Sequence, residues 1–240
     1  MEAAPQKGVL YLIPTTLGNK SPLEVLPLSV KKVIEKVDDY IVENEKSARR
    51  FIKSVAPGKS QPKLNLFLLN KYTDVSELPS FLDPCLQGQS MGVLSEAGCP
   101  GIADPGAEIV SLAHRLQIKV VPMVGPSSIL MGMMASGLNG QNFAFNGYLP
   151  IDKSERKRTI KRLEKHSFDH GQAQCFIETP YRNNALLEDI IATVAPETSV
   201  CVACDLTLPS EYILTKSAKE WKKISVDLHK RPTLFILQKR

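Results

Sequence analysis

Residues 91–136 read MGVLSEAGCPGIADPGAEIVSLAHRLQIKVVPMVGPSSILMGMMAS. Two short apolar runs, at 91–95 and 118–123, alternate with helical patterns at 105–116 and 127–136. Apolar runs of this length are typical of buried strands. A strand that returns to the sheet through a helix lies parallel to the strand before it. The stretch therefore predicts a parallel sheet covered by helices.

The same alternation continues on both sides of this stretch. Before it, runs at 8–13, 38–43 and 64–69 predict three strands, with helices at 24–36, 45–56 and 74–87. After it, the sequence predicts strands at 142–149, 173–178, 199–206, 211–215 and 233–239, with helices at 153–165 and 183–195. Several later strands follow one another without a helix, which favours antiparallel pairs.

These patterns predict an α/β protein of two α/β domains, with a mostly parallel N-terminal sheet and a mixed C-terminal sheet. Gly147 and Pro150 interrupt the pattern before a charged segment, which is typical of a hinge. We therefore expect a domain over residues 1–148 that carries Gly/Pro-rich loops, and a second over residues 149–240.

Composition excludes several classes of protein. The 240 residues are 43% hydrophobic and 23% charged, which is typical of a globular chain and not of a disordered or fibrous one. No apolar run reaches the ~20 residues of a membrane span. The first residues, MEAAPQK, do not resemble a signal peptide, and five cysteines form an odd, scattered set. We expect reduced thiols in a cytoplasmic protein. Cys201 and Cys204, on one strand, should face opposite sides. The four histidines lack ligand spacing, so we expect no metal site.

Loops of similar composition follow three of the predicted strands. They are Pro14–Asn19, Ser95–Gly106 and Gly125–Ser128, each rich in glycine, proline or small hydroxyl residues. The carboxyl ends of parallel strands share one edge of a sheet, where ligands bind. None of the loops matches GxGxxG or GxxxxGK[ST]. The loops predict a ligand site that uses backbone groups, suited to an adenosine and an amino-acid moiety.

The string SEAGCPGIADPG, followed by VVPMVGPSS, FAFNGYLP and FIETPYR, resembles the tetrapyrrole methylase superfamily. These are the class III S-adenosylmethionine-dependent methyltransferases. The sequence is most similar to the group that methylates a ribose 2′-hydroxyl in bacterial small-subunit rRNA. The resemblance, over residues 8–207, implies S-adenosylmethionine as cofactor in a cleft between two α/β domains, rRNA or the small ribosomal subunit as partner, and a homodimer.

The resemblance also implies which residues of this chain contact the cofactor. Those from the first two loops are Pro14, Ser95, Glu96, Ala97, Cys99 and Ile102. Those from the third loop and the later strands are Ser127, Ser128, Ile129, Thr179, Pro180, Ala203 and Leu206.

Three positions depart from the pattern of the family. Glu96 stands where the family usually has Asp. Glu43-Asn44-Glu45-Lys46 replaces the usual Glu-Asp-Thr-Arg, and a His-Asn-Glu signal after the third strand is missing. Cofactor use is therefore better supported than the identity of the substrate.

A ribose hydroxyl is a poor nucleophile and benefits from a general base. Glu43 and Glu178, each at the end of a predicted strand, are candidate bases, although either carboxylate can equally serve as a cap or an ion-pair partner. Arg182 can bind a phosphate or orient Glu178. Asn19 is a weaker candidate for positioning the substrate.

A basic helix follows the hinge. It holds seven cations against Glu155 and Glu164, namely Lys153, Arg156, Lys157, Arg158, Lys161, Arg162 and Lys165. The helix can bind an RNA backbone or present a solvated face. Tyr148, just before it, can stack on a base; Phe145 is the weaker stacking candidate because it fits a core position.

Two alternatives to an rRNA methyltransferase stay open at this point. One is a methyltransferase of a tetrapyrrole or corrin precursor, which shares the fold and the cofactor. The other is a catalytically lapsed RNA-binding relative, because the residues after strands two and three depart from the family pattern.

Overall fold

The computed structural model describes residues 6–240. The first five residues, on which part of the signal-peptide expectation rests, lie outside the described residues. The chain divides into two compact units, one ending at Ser127 and the other running from Ser128 to Arg240.

The first unit is built on a parallel five-stranded sheet in the order β3-β2-β4-β1-β5. Its strands are β1 (Val9–Ile13), β2 (Asp39–Val42), β3 (Asn65–Leu68), β4 (Met91–Leu94) and β5 (Lys119–Pro122). Its helices are α1 (Leu28–Lys36), α2 (Glu45–Val55), α3 (Asp83–Leu86) and α4 (Gly106–Arg115). The five predicted strands and their parallel arrangement are confirmed.

Helices cover both faces of this sheet, which is why β2 and β4 are buried along their whole length. One core contains Ile34, Tyr40 and Ile52, and the other contains Leu82, Met91 and Ile109. Gly92 of β4 leaves room for the Tyr40 ring, because a Cβ there would lie 2.8 Å from it.

The predicted helix at 74–87 is wrong in type. A 3₁₀ helix spans Val75–Leu82 and only the last turn, α3, is α-helical. Pro79 lies inside the segment and cannot donate a backbone hydrogen bond, which disfavours a regular α-helix there.

The second unit contains a mixed five-stranded sheet in the order β6-β7-β10-β8-β9. Its strands are β6 (Phe143–Tyr148), β7 (Ala173–Ile177), β8 (Ser199–Cys204), β9 (Tyr212–Ser217) and β10 (Thr233–Gln238). Only β6 and β7 are parallel; the other neighbours are antiparallel. The predicted mixed sheet is confirmed.

The helices of the second unit are α5 (Ser128–Ser136), α6 (Lys153–His170), α7 (Asn183–Thr193) and α8 (Ala218–Trp221). Helix α6 is longer than the predicted 153–165 and ends where Gly171 adopts a left-handed conformation. The short α8 was not predicted; Ser217 and Glu220 form its capping box.

The second unit begins at Ser128, before the boundary expected after residue 148. Helix α5 packs on the second sheet, where a Cβ on Gly132 would lie 2.5 Å from Leu234 and 3.4 Å from the Cβ of Ala203. Strand β6 pairs with β7 in the same sheet. Residues 128–148 therefore group with the second unit, and the Gly147–Pro150 segment lies within it.

Candidate functional site

The loops after β1, β4 and β5 of the first unit contact one another. The backbone N–H of Thr15 donates to the carbonyl of Gly98 at 2.9 Å. The Cys99 thiol donates to the carbonyl of Pro126 at 3.5 Å. The convergence predicted for these three loops is therefore present in the first unit.

Two glycines permit this close approach. Gly98 has a φ of +71°, a region that side chains rarely adopt. Gly125 lies against Pro14, so a Cβ on Gly125 would come within 2.2 Å of the Pro14 ring. Pro14 is itself buried and rigid. The sequence therefore needs glycine at both positions for the loops to meet.

Asp104 organises the long loop after β4. Its Oδ1 accepts hydrogen bonds from the backbone N–H groups of Gly101 and Gly106, both at 2.8 Å. Its Oδ2 is buried and has no partner among the described residues, and burial raises the pKa of this carboxyl. Asp104 was not among the predicted site residues, although Asp-Pro-Gly at the start of a helix was a usable signal.

Two carboxylates and one serine meet beside this loop. The Ser47 hydroxyl donates to Glu96 Oε1 at 2.6 Å, and the Glu96 backbone N–H donates to Glu43 Oε1 at 3.2 Å. Burial raises the pKa of Glu43, and the charges of Asp104 and Glu96 raise it further, against the effect of the Glu96 N–H. The first turn of α2 positions Ser47, because Asn44 caps that helix.

Ser47 was missed in the sequence because its partner Glu96 lies in a distant part of the chain. Only the pairing of β2 with β4 brings the two loops together. Glu43 and Glu96, both predicted, are thus placed in one hydrogen-bonded group.

A cavity of about 590 Å³ lies in the first unit between the loop after β1, helix α2 and the start of the loop after β4. This volume is typical of small-molecule sites. Glu96 and the buried Thr15 line it. The hydroxyl Oγ1 of Thr15 has no hydrogen-bond partner among the described residues. Asn19, the predicted positioning residue, also lines the cavity, whereas Ile102 is half exposed elsewhere on the loop.

In the second unit, Glu178 and Arg182 form an ion pair after β7. The buried Glu178 accepts hydrogen bonds at 2.6 Å from both Arg182 Nη2 and the Thr179 backbone N–H. Pro180 is held by its carbonyl, which accepts from the Lys230 N–H at 3.0 Å. The geometry matches the interpretation in which Arg182 orients Glu178.

The other predicted cofactor residues occupy two settings. Ser128 and Ile129 begin α5 and are partly exposed, directly after Ser127. Ala203 and Leu206 are buried at the end of β8, with 1% and 6% of their surface exposed. Strands β7 and β8 both run antiparallel to β10, so their carboxyl ends share one edge of the second sheet.

One of the seven predicted cations of the basic helix is buried. Arg156 of α6 is buried and donates to Asp189 of α7, with Nε at 2.9 Å and Nη2 at 2.5 Å from Oδ2. Arg156 therefore joins two helices and is not available to a nucleic acid. Glu164 is also buried, bonded to the Ala195 N–H and the Thr198 hydroxyl.

The remaining structural expectations concern cysteines, metals and membranes. All five thiols are free; Cys204 faces the core beneath the helices of the second unit, whereas Cys201 lies near Cys175 on the opposite face. Among residues 6–240, no three His, Cys, Asp or Glu side chains are grouped as metal ligands would be. Within the same range, no helix is both long and apolar enough to cross a membrane.

Comparison with known proteins identifies relatives over nearly the whole chain. No protein-family model matches the sequence. The chain is 30% identical over 209 residues to the ribosomal RNA small subunit methyltransferase I of Vibrio cholerae, covering 85% of this chain and 67% of that protein.

Two solved structures share the fold. The methyltransferase CobJ matches with a TM-score of 0.64 at 15% identity, over 96% of this chain and 94% of that one. The uroporphyrin-III C-methyltransferase of Thermus thermophilus, complexed with S-adenosylhomocysteine, matches with a TM-score of 0.55 at 17% identity, over 97% of this chain and 98% of that one. These TM-scores show a shared fold, and the sequence relative shows the family. The chain belongs to the family of ribosomal RNA small subunit methyltransferase I.

Proposed function

We propose that the protein transfers a methyl group from S-adenosylmethionine to small-subunit rRNA, at a ribose 2′-hydroxyl. The observation that carries the proposal is the group formed by Glu43, Ser47 and Glu96 at the edge where three loops meet. The named activity of the relative from Vibrio cholerae supports the choice of rRNA.

The residues of the first unit suit a nucleoside-containing cofactor. A buried polar group without a partner calls for an explanation, and the Thr15 hydroxyl in the wall of the cavity is such a group among the described residues. Pro14, Gly98 and Gly125 leave the loop backbones close together without intervening side chains. We assign the holding of the cofactor in this unit to Pro14, Ser95–Ala97, Cys99, Ile102 and Ser127, and in the second unit to Ser128, Ile129, Thr179, Pro180, Ala203 and Leu206.

When bound, S-adenosylmethionine supplies an electrophilic methyl group on a sulfonium. The protein must position a hydroxyl oxygen in line with that methyl group and remove the proton. Glu43 is the better of the two predicted bases, because its Oε1 accepts a single hydrogen bond of 3.2 Å. Its raised pKa strengthens it as a base. The Glu96 backbone N–H holds Glu43 in place, and Ser47 in turn holds the Glu96 side chain.

Glu178 suits a different role in this scheme. Its carboxylate is buried and already engaged by Arg182 and Thr179. We propose that this pair positions the loop after β7, and that the exposed part of Arg182 meets a phosphate of the substrate.

The proposal is tested by two measurements on the full chain. Calorimetry with S-adenosylmethionine should give micromolar binding to the wild type, and none to Ser127→Trp, which fills the proposed cofactor side. Labelled methyl transfer to small ribosomal subunits and to their naked rRNA should then occur. Ribose methylation is recognised because the modified linkage resists alkaline cleavage.

Glu43→Gln separates catalysis from binding in the same assay. We expect kcat to fall about 10²- to 10⁴-fold with cofactor affinity retained, as for loss of a general base. Methylation of a uroporphyrinogen-type acceptor instead of rRNA would support the tetrapyrrole alternative. Cofactor and RNA binding without transfer to either acceptor would support the catalytically lapsed alternative.

We also propose a cytoplasmic homodimer, on the resemblance to the rRNA group. Light scattering on the purified chain tests the dimer: a mass twice the 26.5 kDa of one chain is expected, and a concentration-independent monomer would contradict it.

A further inference from the structure

A groove lies in the second unit between the end of β6 and the first half of α6. Its volume is about 520 Å³. Strand β6 is an edge strand, and residues 6–240 place no further strand beside it on this side of the sheet. The groove shares no residue with the predicted cofactor and catalytic set. Its lining consists of Asn146, Tyr148, Leu149, Pro150, Glu155, Arg158, Thr159, Arg162 and Leu163.

Two guanidinium groups in this groove have no protein partner. Arg158 and Arg162 form no ion pair or hydrogen bond with any residue in the described range 6–240, in contrast to the buried Arg156, two residues before Arg158. They lie four residues apart, about 6 Å along the helix axis and on one face. Glu155 is the single carboxylate in the lining.

The charge of the groove extends along the helix. On a helical projection, Arg158, Lys161, Arg162 and Lys165 fall within an arc of about 100°. All four side chains are exposed. Lys165 pairs with Asp169 at 2.7 Å, which leaves the two arginines and Lys161 as the uncompensated charges. A polyanion lying in the groove would meet Arg158 and Arg162, with Lys161 beside them on the same face of the helix.

A β-bulge presents an aromatic ring beside these cations. The register between β6 and β7 shifts between Phe145 and Tyr148, and Gly147 in that interval has a φ of +63°. Bulges of this kind re-aim side chains at sheet edges. The Tyr148 side chain is 58% exposed and lines the groove, whereas Phe145 is partly buried.

We propose that this groove binds a single-stranded segment of the RNA substrate, with phosphates on Arg158 and Arg162 and a base stacked on Tyr148. The inference rests on the proposed function and specifies where its RNA is held. Unpaired arginines recognise phosphates, and an exposed aromatic ring requires an unstacked base, which a duplex does not offer.

The test is RNA binding by full-length variants, with a labelled single strand of about 12 nucleotides, within the range of known single-strand sites. Arg158→Ala with Arg162→Ala should weaken binding about tenfold to a hundredfold. The plot of the logarithm of the association constant against the logarithm of the salt concentration should become less steep by about 1.4, as expected for two lost phosphate contacts on a single strand.

Tyr148 gives an independent readout. Tyr148→Ala should weaken binding about 5- to 150-fold, the range for loss of one stacked base, without changing the salt slope. Tyr148→Phe should retain wild-type affinity, because the ring alone stacks. A duplex of the same length should bind more weakly than the single strand and should not respond to Tyr148→Ala.

The matched control removes the same charge at the opposite edge of the sheet. Lys222 and Lys223 are exposed after α8, which packs on β9, the edge strand farthest from β6. Lys222→Ala with Lys223→Ala should change affinity less than about twofold. Equal losses in the control and the arginine pair would overturn the proposal, as would an unchanged Kd for Tyr148→Ala.

Heparin, a polyanion without bases, distinguishes RNA recognition from general binding of anions. If heparin binds as tightly as RNA and competes with it fully, even in Tyr148→Ala, the groove is a general anion surface and the proposal is wrong. If the proposed function is wrong and the groove proposal is right, the wild type will bind RNA in this groove but transfer no methyl group. Full kcat/KM on rRNA in the arginine variant would refute the groove alone.

Discussion

Where the three loops of the first unit meet, single residues determine which substitutions the unit tolerates. Gly125 is the clearest case, because the space a Cβ would need is already occupied by the rigid Pro14 ring. Gly125→Ala should lower the free energy of unfolding by about 1–3 kcal/mol, as overpacking does, and should weaken S-adenosylmethionine binding. Urea denaturation and calorimetry measure the two effects.

Gly58 supplies the control for this prediction. A Cβ there meets nothing within 4 Å and the backbone is not left-handed. Gly58→Ala should therefore leave cofactor affinity unchanged. Equal behaviour of the two variants would show that the contact with Pro14 is unimportant.

The raised pKa of Glu43 makes the stability of the protein depend on pH. Its pKa is raised by burial, then by the Asp104 and Glu96 charges, so the folded protein holds a proton there more tightly than the unfolded chain does. Stability therefore falls as pH rises from the ordinary pKa of glutamate through the raised one. Glu43→Gln removes this loss.

The expected result is a variant with a higher Tm than the wild type at pH 8 and a difference that shrinks towards pH 4. Thermal unfolding followed by circular dichroism at both pH values measures it. Glu188→Gln, at an exposed carboxylate of α7, is the control and should show no such pH dependence. A lower Tm for Glu43→Gln at pH 8 would contradict the burial argument.

At the scale of elements, α6 and α7 are joined by the buried pair of Arg156 and Asp189. Arg156→Ala should cost about 3–5 kcal/mol of unfolding free energy, because Asp189 is left buried with only the more distant Lys153 and Lys157 at 3.8 and 3.7 Å. Urea denaturation measures the cost.

The double variant Arg156→Leu with Asp189→Leu should lose less than Arg156→Ala, because no buried charge is then left unpaired. RNA affinity of the folded single variant should match the wild type, in contrast to the Arg158 and Arg162 pair on the same helix. A large loss of RNA affinity in Arg156→Ala would mean that the two faces of α6 are not independent.

At the scale of the whole molecule, the predicted cofactor residues are distributed over both units, so ligand binding should be visible in the unfolding of the full chain. S-adenosylhomocysteine at about 100 times its Kd should stabilise the folded state by about 2.7 kcal/mol. For a chain of this size, Tm should rise by about 5–10 °C.

ATP shares the adenosine but lacks the amino-acid moiety, so it should raise Tm much less at the same concentration. Gly125→Ala should show a smaller shift with S-adenosylhomocysteine than Gly58→Ala does. An unchanged Tm at saturating S-adenosylhomocysteine would remove the basis for the cofactor assignment.

Much of the fold was predictable because its signals are local. Each strand of the first sheet is a short apolar run that is followed by a loop. All ten strands begin and end within two residues of their predicted limits. Helix types were less predictable where one residue decides them. Pro79 converts a helical pattern into a 3₁₀ segment, and the left-handed Gly171 ends α6 after His170.

Parts of the candidate site were less accessible from the sequence. Glu43 was predicted from its place after a strand, and Pro14 and Glu96 from the resemblance to the family, but Ser47 has no signal of its own because its partner is 49 residues away. The unpartnered hydroxyl of Thr15 and the two hydrogen bonds that Asp104 accepts from Gly101 and Gly106 arise only in the folded loops.

Local patterns of apolar runs and loop residues were enough to predict the α/β class and the two sheets, because neighbouring residues carry these signals, and the motif strings carried the resemblance to the family. Which cations of α6 are structural and which are free depends instead on the folded packing. Arg156, Arg158 and Arg162 are equivalent in composition, but the packing of α7 buries the first, and the bulged edge of β6 leaves the other two facing a groove. Burial and unpaired charge are properties of surroundings that distant residues provide.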